Sequence, residues 1–153
     1  MDDLHAIDRR ILTVLQQDGR ITNADLSERV NLSPSACHRR VQRLEEIGLI
    51  DGYVALLDPR KMGRPTTVFV EITLQGQADE VLDAFEREVA RIPDLLECHL
   101  MAGSADYLLK LVVRDTEDYA RIHRQYLSRL TGVSQMRSSF SLKTVVKTTA
   151  ISV

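Results

Sequence analysis

The chain has 153 residues, 44% of them hydrophobic, and a formal net charge of −2. This length allows one large domain or two small ones, and the composition excludes a disordered or low-complexity protein. No apolar stretch approaches the roughly 20 residues of a membrane helix, and the first residues do not resemble a signal peptide.

Two short helices are expected first. Asp8 is a candidate N-cap for a helix with the sequence RRILTVLQQ, whose apolar residues face a core, and Asp18-Gly19 ends that helix. Thr22 or Asn23 then caps a second helix over Ala24–Val30. The two helices are short enough to belong to a small helical domain.

A third helix carries the most informative pattern. After a turn at Asn31-Leu32, Ser33-Pro34 is a typical helix start, and the helix is expected to run to about Ile47 before Gly48. Its apolar face comprises Cys37, Val41, Leu44 and Ile47. The residues predicted to face DNA are Ser33, Ser35, His38, Arg39, Arg40, Gln42 and Arg43.

This arrangement predicts a winged helix-turn-helix domain over residues 1–57. The third helix fits a DNA major groove, where Arg and Gln can read base edges. Asp51-Gly52, between Leu49-Ile50 and Tyr53–Leu57, predicts a hairpin that would form the wing. The alternative is an ordinary solvated helix face. Residues 1–60 carry more acidic than basic side chains, so DNA binding would depend on local arginines and on several copies per assembly.

Residues 58–65 contain two prolines, a glycine and basic side chains, and are predicted to be a linker.

From Thr66 the apolar residues recur at every second position, which predicts a strand. In the rest of the chain, segments with this spacing alternate with segments in which the apolar residues have helical spacing. The predicted strands are 66–74, Leu95–Met101, Tyr107–Val113 and Val133–Val145. Asp115 or Thr116 caps the second helix, and Gly132 ends it. This order predicts a ferredoxin-like βαββαβ domain over residues 66–153, so the fold class is α+β. The sheet face that no helix covers carries both polar and apolar side chains, which favours pairing with a second copy.

The segment MAGSADYL suits a small amino acid. Gly103 allows close approach of the backbone, and successive N–H groups can hold a carboxylate. Asp106 offers a negative charge to an ammonium group. The alternative is an ordinary β-turn with a capping aspartate. The candidate effector residues are Met101, Ala102, Gly103, Ser104, Asp106 and Leu108.

The chain resembles the Lrp/AsnC family of feast/famine regulators. The resemblance rests on IDRRILTVLQQDGRITNADLSERVNLSPSACHRRVQRLEEIGLIDGY, VFVEITL, ECHLMAGSADYLLK and LTGV, and the leucine-responsive branch is most similar. It implies a transcriptional regulator with an N-terminal winged helix-turn-helix and a C-terminal ligand-sensing domain that responds to an amino acid. The two separate cysteines favour a cytoplasmic protein. A dimer carries two recognition helices, so its operator in double-stranded DNA is expected to be an inverted repeat. The resemblance also implies homodimers that assemble into higher oligomers, with an octamer expected. The GxxDYLL pattern implies that Gly103, Asp106, Tyr107 and Leu108 belong to the effector loop.

Other functions have less support. The four histidines lack metal-ligand spacing, and the adjacent Cys98 and His99 point to opposite faces of a strand. We therefore expect no metal, no cofactor, no catalytic residues, reduced cysteines and no contact with membranes. Two alternatives remain open, an architectural DNA-binding protein without an effector and an enzyme similar to heme-pathway decarboxylases, which resemble this family in fold.

Overall fold

A computed structural model of the chain describes residues 4–153. Met1, Asp2 and Asp3, where the predicted DNA-binding domain starts, lie outside the described residues. The chain divides into two compact units, one of Met1–Leu56 with Val146–Val153 and one of Leu57–Val145. None of the helices in the described part has the length and apolar character that a membrane span requires.

Three helices form the first unit: α1 (Ala6–Gln17), α2 (Asn23–Val30) and α3 (Pro34–Glu46). Their apolar faces meet in one core, whose buried residues are Ile11, Leu12, Leu26, Val30, Cys37 and Leu44. Thr22 caps α2 and Ser33 caps α3, each accepting a hydrogen bond from a first-turn amide. Asn31 makes the turn between them in the left-handed conformation, with φ of 57°.

Two predictions about these helices are wrong. Asp8 is not the N-cap of α1, because the helix begins at Ala6 after His5, and Asp8 lies buried in its first turn. Ile47 does not join the apolar face of α3, because the helix ends at Glu46 and the side chain is 57% exposed. In both cases the helical spacing was identified correctly, but the position of the helix end was not.

The predicted hairpin is absent from the described chain, in which residues 51–65 form no strand. Leu49 and Ile50 cannot act as its first strand, since both of their amides donate to the carbonyl of Leu44 and close the end of α3. Tyr53 turns back onto this unit. Its hydroxyl donates to Glu45 at 3.0 Å, and its ring lies 3.5 Å from the Cβ position of Gly19.

The second unit is an antiparallel four-stranded sheet with two helices. Its elements are β1 (Thr66–Leu74), α4 (Asp79–Val89), β2 (Leu95–Leu100), β3 (Tyr107–Val113), α5 (Thr116–Gln125), a 3₁₀ turn (Leu127–Arg129) and β4 (Val133–Phe140). The strand order β2-β3-β1-β4 is that of a ferredoxin-like fold. The predicted fold class, α+β, is confirmed.

The alternation in β1 separates two faces of this sheet. Val68, Val70 and Ile72 are fully buried against the helices, whereas Phe69 on the other face is 36% exposed. Phe69 pairs with Lys110 on β3 and Ser139 on β4. The helix-covered side therefore holds the core, and the opposite side remains a mixed surface.

Two elements end earlier than predicted. β4 stops at Phe140, which pairs with Val68, rather than at Val145. At this register residues 143–145 would lie beyond Thr66, where β1 begins, and would have no partner on that strand. The helix α5 stops at Gln125, and a 3₁₀ turn carries the chain to Leu130, which still packs in the core.

The predicted linker is a folded turn. The amides of Met62, Gly63 and Arg64 donate to carbonyls at Asp58, Arg60 and Pro59, respectively. The guanidinium of Arg64 then contacts Asp118 at 3.1 Å and Asp94 at 3.0 Å. Local hydrogen bonds and one ion-pair cluster thus fix this segment within the second unit.

The last residues of the chain belong to the first unit. The side-chain amide of Gln16 on α1 donates to the carbonyl of Ile151 at 3.0 Å and accepts from its N–H at 2.7 Å. One glutamine therefore satisfies both backbone groups of Ile151. The prediction had placed this tail with the ferredoxin-like domain.

Candidate functional site

The helix α3 presents a polar face to solvent. Ser33 is its N-cap and Pro34 its first residue, so the helix starts where the sequence predicted. The side chain of Asn23 donates to the carbonyl of Pro34 at 2.9 Å and ties the start of α2 to the start of α3. Six of the predicted DNA-facing residues are exposed: Ser33, Ser35, His38, Arg39, Gln42 and Arg43.

Arg40 differs from the other residues of this set. It is only partly exposed, and its Nη1 donates to the carboxylate of Asp8 at 2.8 Å. The Asp8 side chain is 8% exposed, so the pair links α1 to α3 inside the helical unit. The guanidinium is therefore engaged within the protein, whereas Arg39 and Arg43 form no ion pair with any residue that the structure describes.

The predicted effector loop is the connection between β2 and β3. The amide of Met101 donates to the carbonyl of Asp106 at 2.8 Å and closes the loop. Residues 101–104 are exposed, and a Cβ built on Gly103 meets no atom within 4 Å. Within the described chain, the amides of Ala102, Gly103 and Ser104 donate to no other residue. Open space and three free successive amides are features that could hold a carboxylate.

The structure gives Asp106 a set of partners that the sequence did not predict. Its Oδ2 accepts from the amide of Leu74 at 2.7 Å, and its Oδ1 accepts from Nε2 of Gln77 at 2.7 Å. The residue is 9% exposed. These two hydrogen bonds, the backbone bond first, hold the pKa of the carboxyl below its usual range. The carboxylate is thus occupied from within the chain, in contrast to the free charge that was predicted.

Other predicted residues lie close to this loop. Leu108 is half-buried on the open sheet face, where it pairs with Glu71 and His99. Met101 is 43% exposed. The DNA-facing residues share α3, and the effector residues share the β2–β3 loop and the start of β3.

Sequence reasoning missed Gln77, Asn23 and Asp8 as positioning residues. Each makes a contact across a sequence separation of 11 to 32 residues. A polar side chain beside a helix start, as at Asn23 and Gln77, was the available signal. No feature of the sequence indicated that Asp8 is buried, because an acidic residue in the first turn of a helix normally lies in water.

Comparison with known proteins gives a consistent result for both parts of the chain. A model of the winged helix-turn-helix DNA-binding domain matches residues 4–51. The model of the Lrp/AsnC ligand binding domain matches residues 67–151. The leucine-responsive regulatory proteins of Escherichia coli K12 and Salmonella typhimurium are each 48% identical over 136 residues, 89% of this chain and 83% of theirs.

Solved structures agree with the sequence comparison. A transcriptional regulator from Neisseria meningitidis, crystallised with L-methionine, has a TM-score of 0.92 at 36% identity and covers 97% of this chain and 96% of its own. An AsnC family transcriptional regulator from Agrobacterium tumefaciens gives the same values. The chain therefore belongs to the Lrp/AsnC family of effector-responsive, DNA-binding transcriptional regulators.

Proposed function

We propose that this protein binds an inverted-repeat operator through α3 and that an amino acid bound at the β2–β3 loop changes that binding. The observation that carries the proposal is the exposed polar face of a helix whose start is fixed by Ser33 and Asn23. Arg39 and Arg43 lie one helical turn apart on that face and are both exposed. Such a pair can reach base edges or phosphates in one groove.

Single alanine substitutions test the DNA contact. Arg39→Ala should weaken operator binding by about 1–3 kcal/mol and relax the preference at one base if the side chain pairs with guanine. If it touches phosphate, binding should weaken for all sequences and the salt dependence should become shallower. Arg129→Ala, an exposed arginine of the second unit, is the control. Normal operator binding by a folded Arg39→Ala/Arg43→Ala variant would contradict the assignment.

The effector proposal uses the free amides of the β2–β3 loop. The carboxylate of an amino acid would accept from the amides of Ala102, Gly103 and Ser104, while Met101 and Leu108 would contact its side chain. Support comes from the open space at Gly103 and from the exposure of residues 101–104. Similar proteins include leucine-responsive regulators and one crystallised with L-methionine, so an apolar amino acid is the proposed effector class.

Calorimetry with L-leucine and L-methionine, against L-aspartate as a charged control, tests this proposal. Ser104→Pro removes one of the three amides and should weaken binding of the apolar amino acid, since proline has no N–H. An amino acid that binds this variant and the wild type with equal affinity would place the site elsewhere.

We further propose that the protein works in the cytoplasm as homodimers that assemble into higher oligomers, with an octamer as the expected ring. The support is the uncovered sheet face around Phe69 and the −2 charge of the chain, which makes several DNA-binding copies per operator necessary for strong binding. We propose no enzymatic activity, because the similar proteins are regulators. A visible absorption spectrum of bound heme in the purified protein would instead favour the decarboxylase alternative. DNA binding unaffected by amino acids would favour the architectural one.

A further inference from the structure

Four hydrogen bonds converge on Asp106 at the end of the β2–β3 loop. Its N–H donates to the carbonyl of Ile72 at 2.8 Å, and its carbonyl accepts from the amide of Met101 at 2.8 Å. Its two carboxylate oxygens accept from the amide of Leu74 and from the side chain of Gln77. No other residue of the loop is held in this way in the described chain.

The bond to Leu74 compensates for a missing strand residue. The β1–β3 ladder ends at the pair Ile72 and Tyr107, because the chain leaves the sheet at Asp106. Leu74 extends two residues further along β1, where β3 offers no backbone acceptor. The carboxylate takes that place, and without it the buried amide of Leu74 would lack a partner.

We propose that Asp106 is a positioning residue, which together with Gln77 fixes the effector loop to the end of β1, and that it does not supply the counter-charge for the ammonium group of the effector. This inference rests on the proposed effector site. It follows that the amino-acid response requires hydrogen-bonding groups of this shape at position 106 and does not require a negative charge there.

Asparagine separates these two roles. Its Oδ1 can accept from Leu74, and its Nδ2 can donate to Gln77 once the Gln77 amide rotates by half a turn. Asp106→Asn therefore keeps both contacts and removes the charge. Asp106→Ala removes both contacts together with the charge, and Gln77→Glu places two carboxylates against each other.

Calorimetry of the full chain with L-leucine and with L-methionine measures the effect on binding. We expect Asp106→Asn to bind within about fivefold of the wild type, since only the strength of charge-assisted hydrogen bonds is lost. Asp106→Ala should bind roughly ten- to hundredfold more weakly, as expected when a buried hydrogen-bonding group loses its partner. If Asp106→Asn loses as much affinity as Asp106→Ala, the charge contacts the effector and the inference is wrong.

A second readout needs no effector. Hydrogen exchange at the Leu74 amide should be slow in the wild type and in Asp106→Asn, and fast in Asp106→Ala. Equal exchange in all three would overturn the inference. If neither amino acid binds the wild type, the proposed effector class fails, while the exchange rates still decide the role of Asp106.

A pair of changes at the exposed end of the contact covers the case in which Asp106→Ala does not fold. Gln77→Glu should weaken binding of the amino acid, and the double variant Gln77→Glu/Asp106→Asn should recover it, since donor and acceptor are exchanged. A double variant as weak as Gln77→Glu alone would count against the inference.

Discussion

A buried carboxylate in the helical unit makes Arg40 a structural residue. Asp8 has a side chain that is 8% exposed, and Arg40 is its ion-pair partner at 2.8 Å. Removing one member of such a pair leaves the other charge without compensation in a site poor in water. Arg40 thus lies beside the candidate DNA contacts, but its guanidinium positions α3 on α1.

Arg40→Met should lower the free energy of unfolding by about 2–3 kcal/mol, at the low end for a buried pair because the arginine is partly exposed. Denaturant unfolding measures this change. DNA titrations at several salt concentrations should show an unchanged salt slope, whereas a phosphate contact would lower that slope by about one unit. Unchanged stability with a shallower slope would assign Arg40 to the DNA.

Gly103 and Gly48 differ in backbone conformation, so replacing each with alanine should have a different effect on stability. Gly48 follows α3 with φ of 72°, a conformation that strains any side chain. Gly103 has no positive φ, and its Cβ position faces open space. Gly48→Ala should therefore cost about 1 kcal/mol, while Gly103→Ala should change stability by less than about 0.5 kcal/mol.

Titration of Gly103→Ala with the amino acid tests whether the effector contacts the backbone at this position. If an amino acid approaches the backbone there, the added methyl group should weaken its binding although the fold is unaffected. Wild-type affinity in Gly103→Ala would show that the ligand stays away from this part of the loop.

At the scale of elements, Asp118 joins α5 to the turn before β1. Its side chain is fully buried, and it meets the guanidinium groups of Arg64, Arg114 and Arg121. Hydrogen bonds from the Arg114 amide and then from Arg121 hold the pKa of this carboxyl far below its usual range. Because the folded state favours the ionised form, Asp118 stabilises the protein above the ordinary pKa of an aspartate, about 3.9.

Asp118→Asn should therefore destabilise the second unit by about 3 kcal/mol near neutral pH, the low end for a broken buried pair. As the pH falls below about 4, the unfolded wild type takes up a proton that the folded form resists, so its advantage over the variant should shrink. Urea unfolding of both proteins between pH 7 and pH 3 measures the difference. A difference that stays constant with pH would contradict this ion-pair role.

The elements themselves were largely predictable, and their long-range polar contacts were not. The start of α3 at Ser33-Pro34 and the alternation of β1 depend on local chemistry, so the sequence contained them. The prediction of a hairpin was wrong because the amides of Leu49 and Ile50 donate to the carbonyl of Leu44 at the end of α3. The roles of Arg40 and Asp106 depend on partners 32 residues away, and a single sequence gives no distance between such residues.

For the whole molecule, the open sheet face is the candidate contact between copies. Phe69 lies on it, opposite Lys110 on the neighbouring strand. Phe69→Glu should fold normally as an isolated chain, since the position is 36% exposed. Lys110 opposite it, which already pairs with Glu97 at 2.6 Å, also offsets part of the added negative charge. In an assembly the same charge would be buried against a second copy and would oppose association.

Sedimentation of Phe69→Glu at micromolar concentration should show smaller species than the wild type, together with weaker operator binding. Gln125→Glu, at an exposed position of α5, adds the same charge on the helix side of the sheet and should change neither property. Wild-type protein that sediments as a monomer at this concentration would refute the proposed pairing.

The position of β1 in the sheet also sets the order in which the chain can fold during synthesis. The core of the helical unit is complete once residue 50 has been made, because all of its members lie between residues 4 and 50. The central strand β1 must wait for β4, which ends at Phe140. At typical rates of translation this delay is about 5–20 s. A nascent chain thus holds the packed core of the helical unit before residues 146–153, which join the same unit, have been made and while β1 still lacks β4. In this period a chaperone or a second nascent chain can meet the unpaired edge of β1.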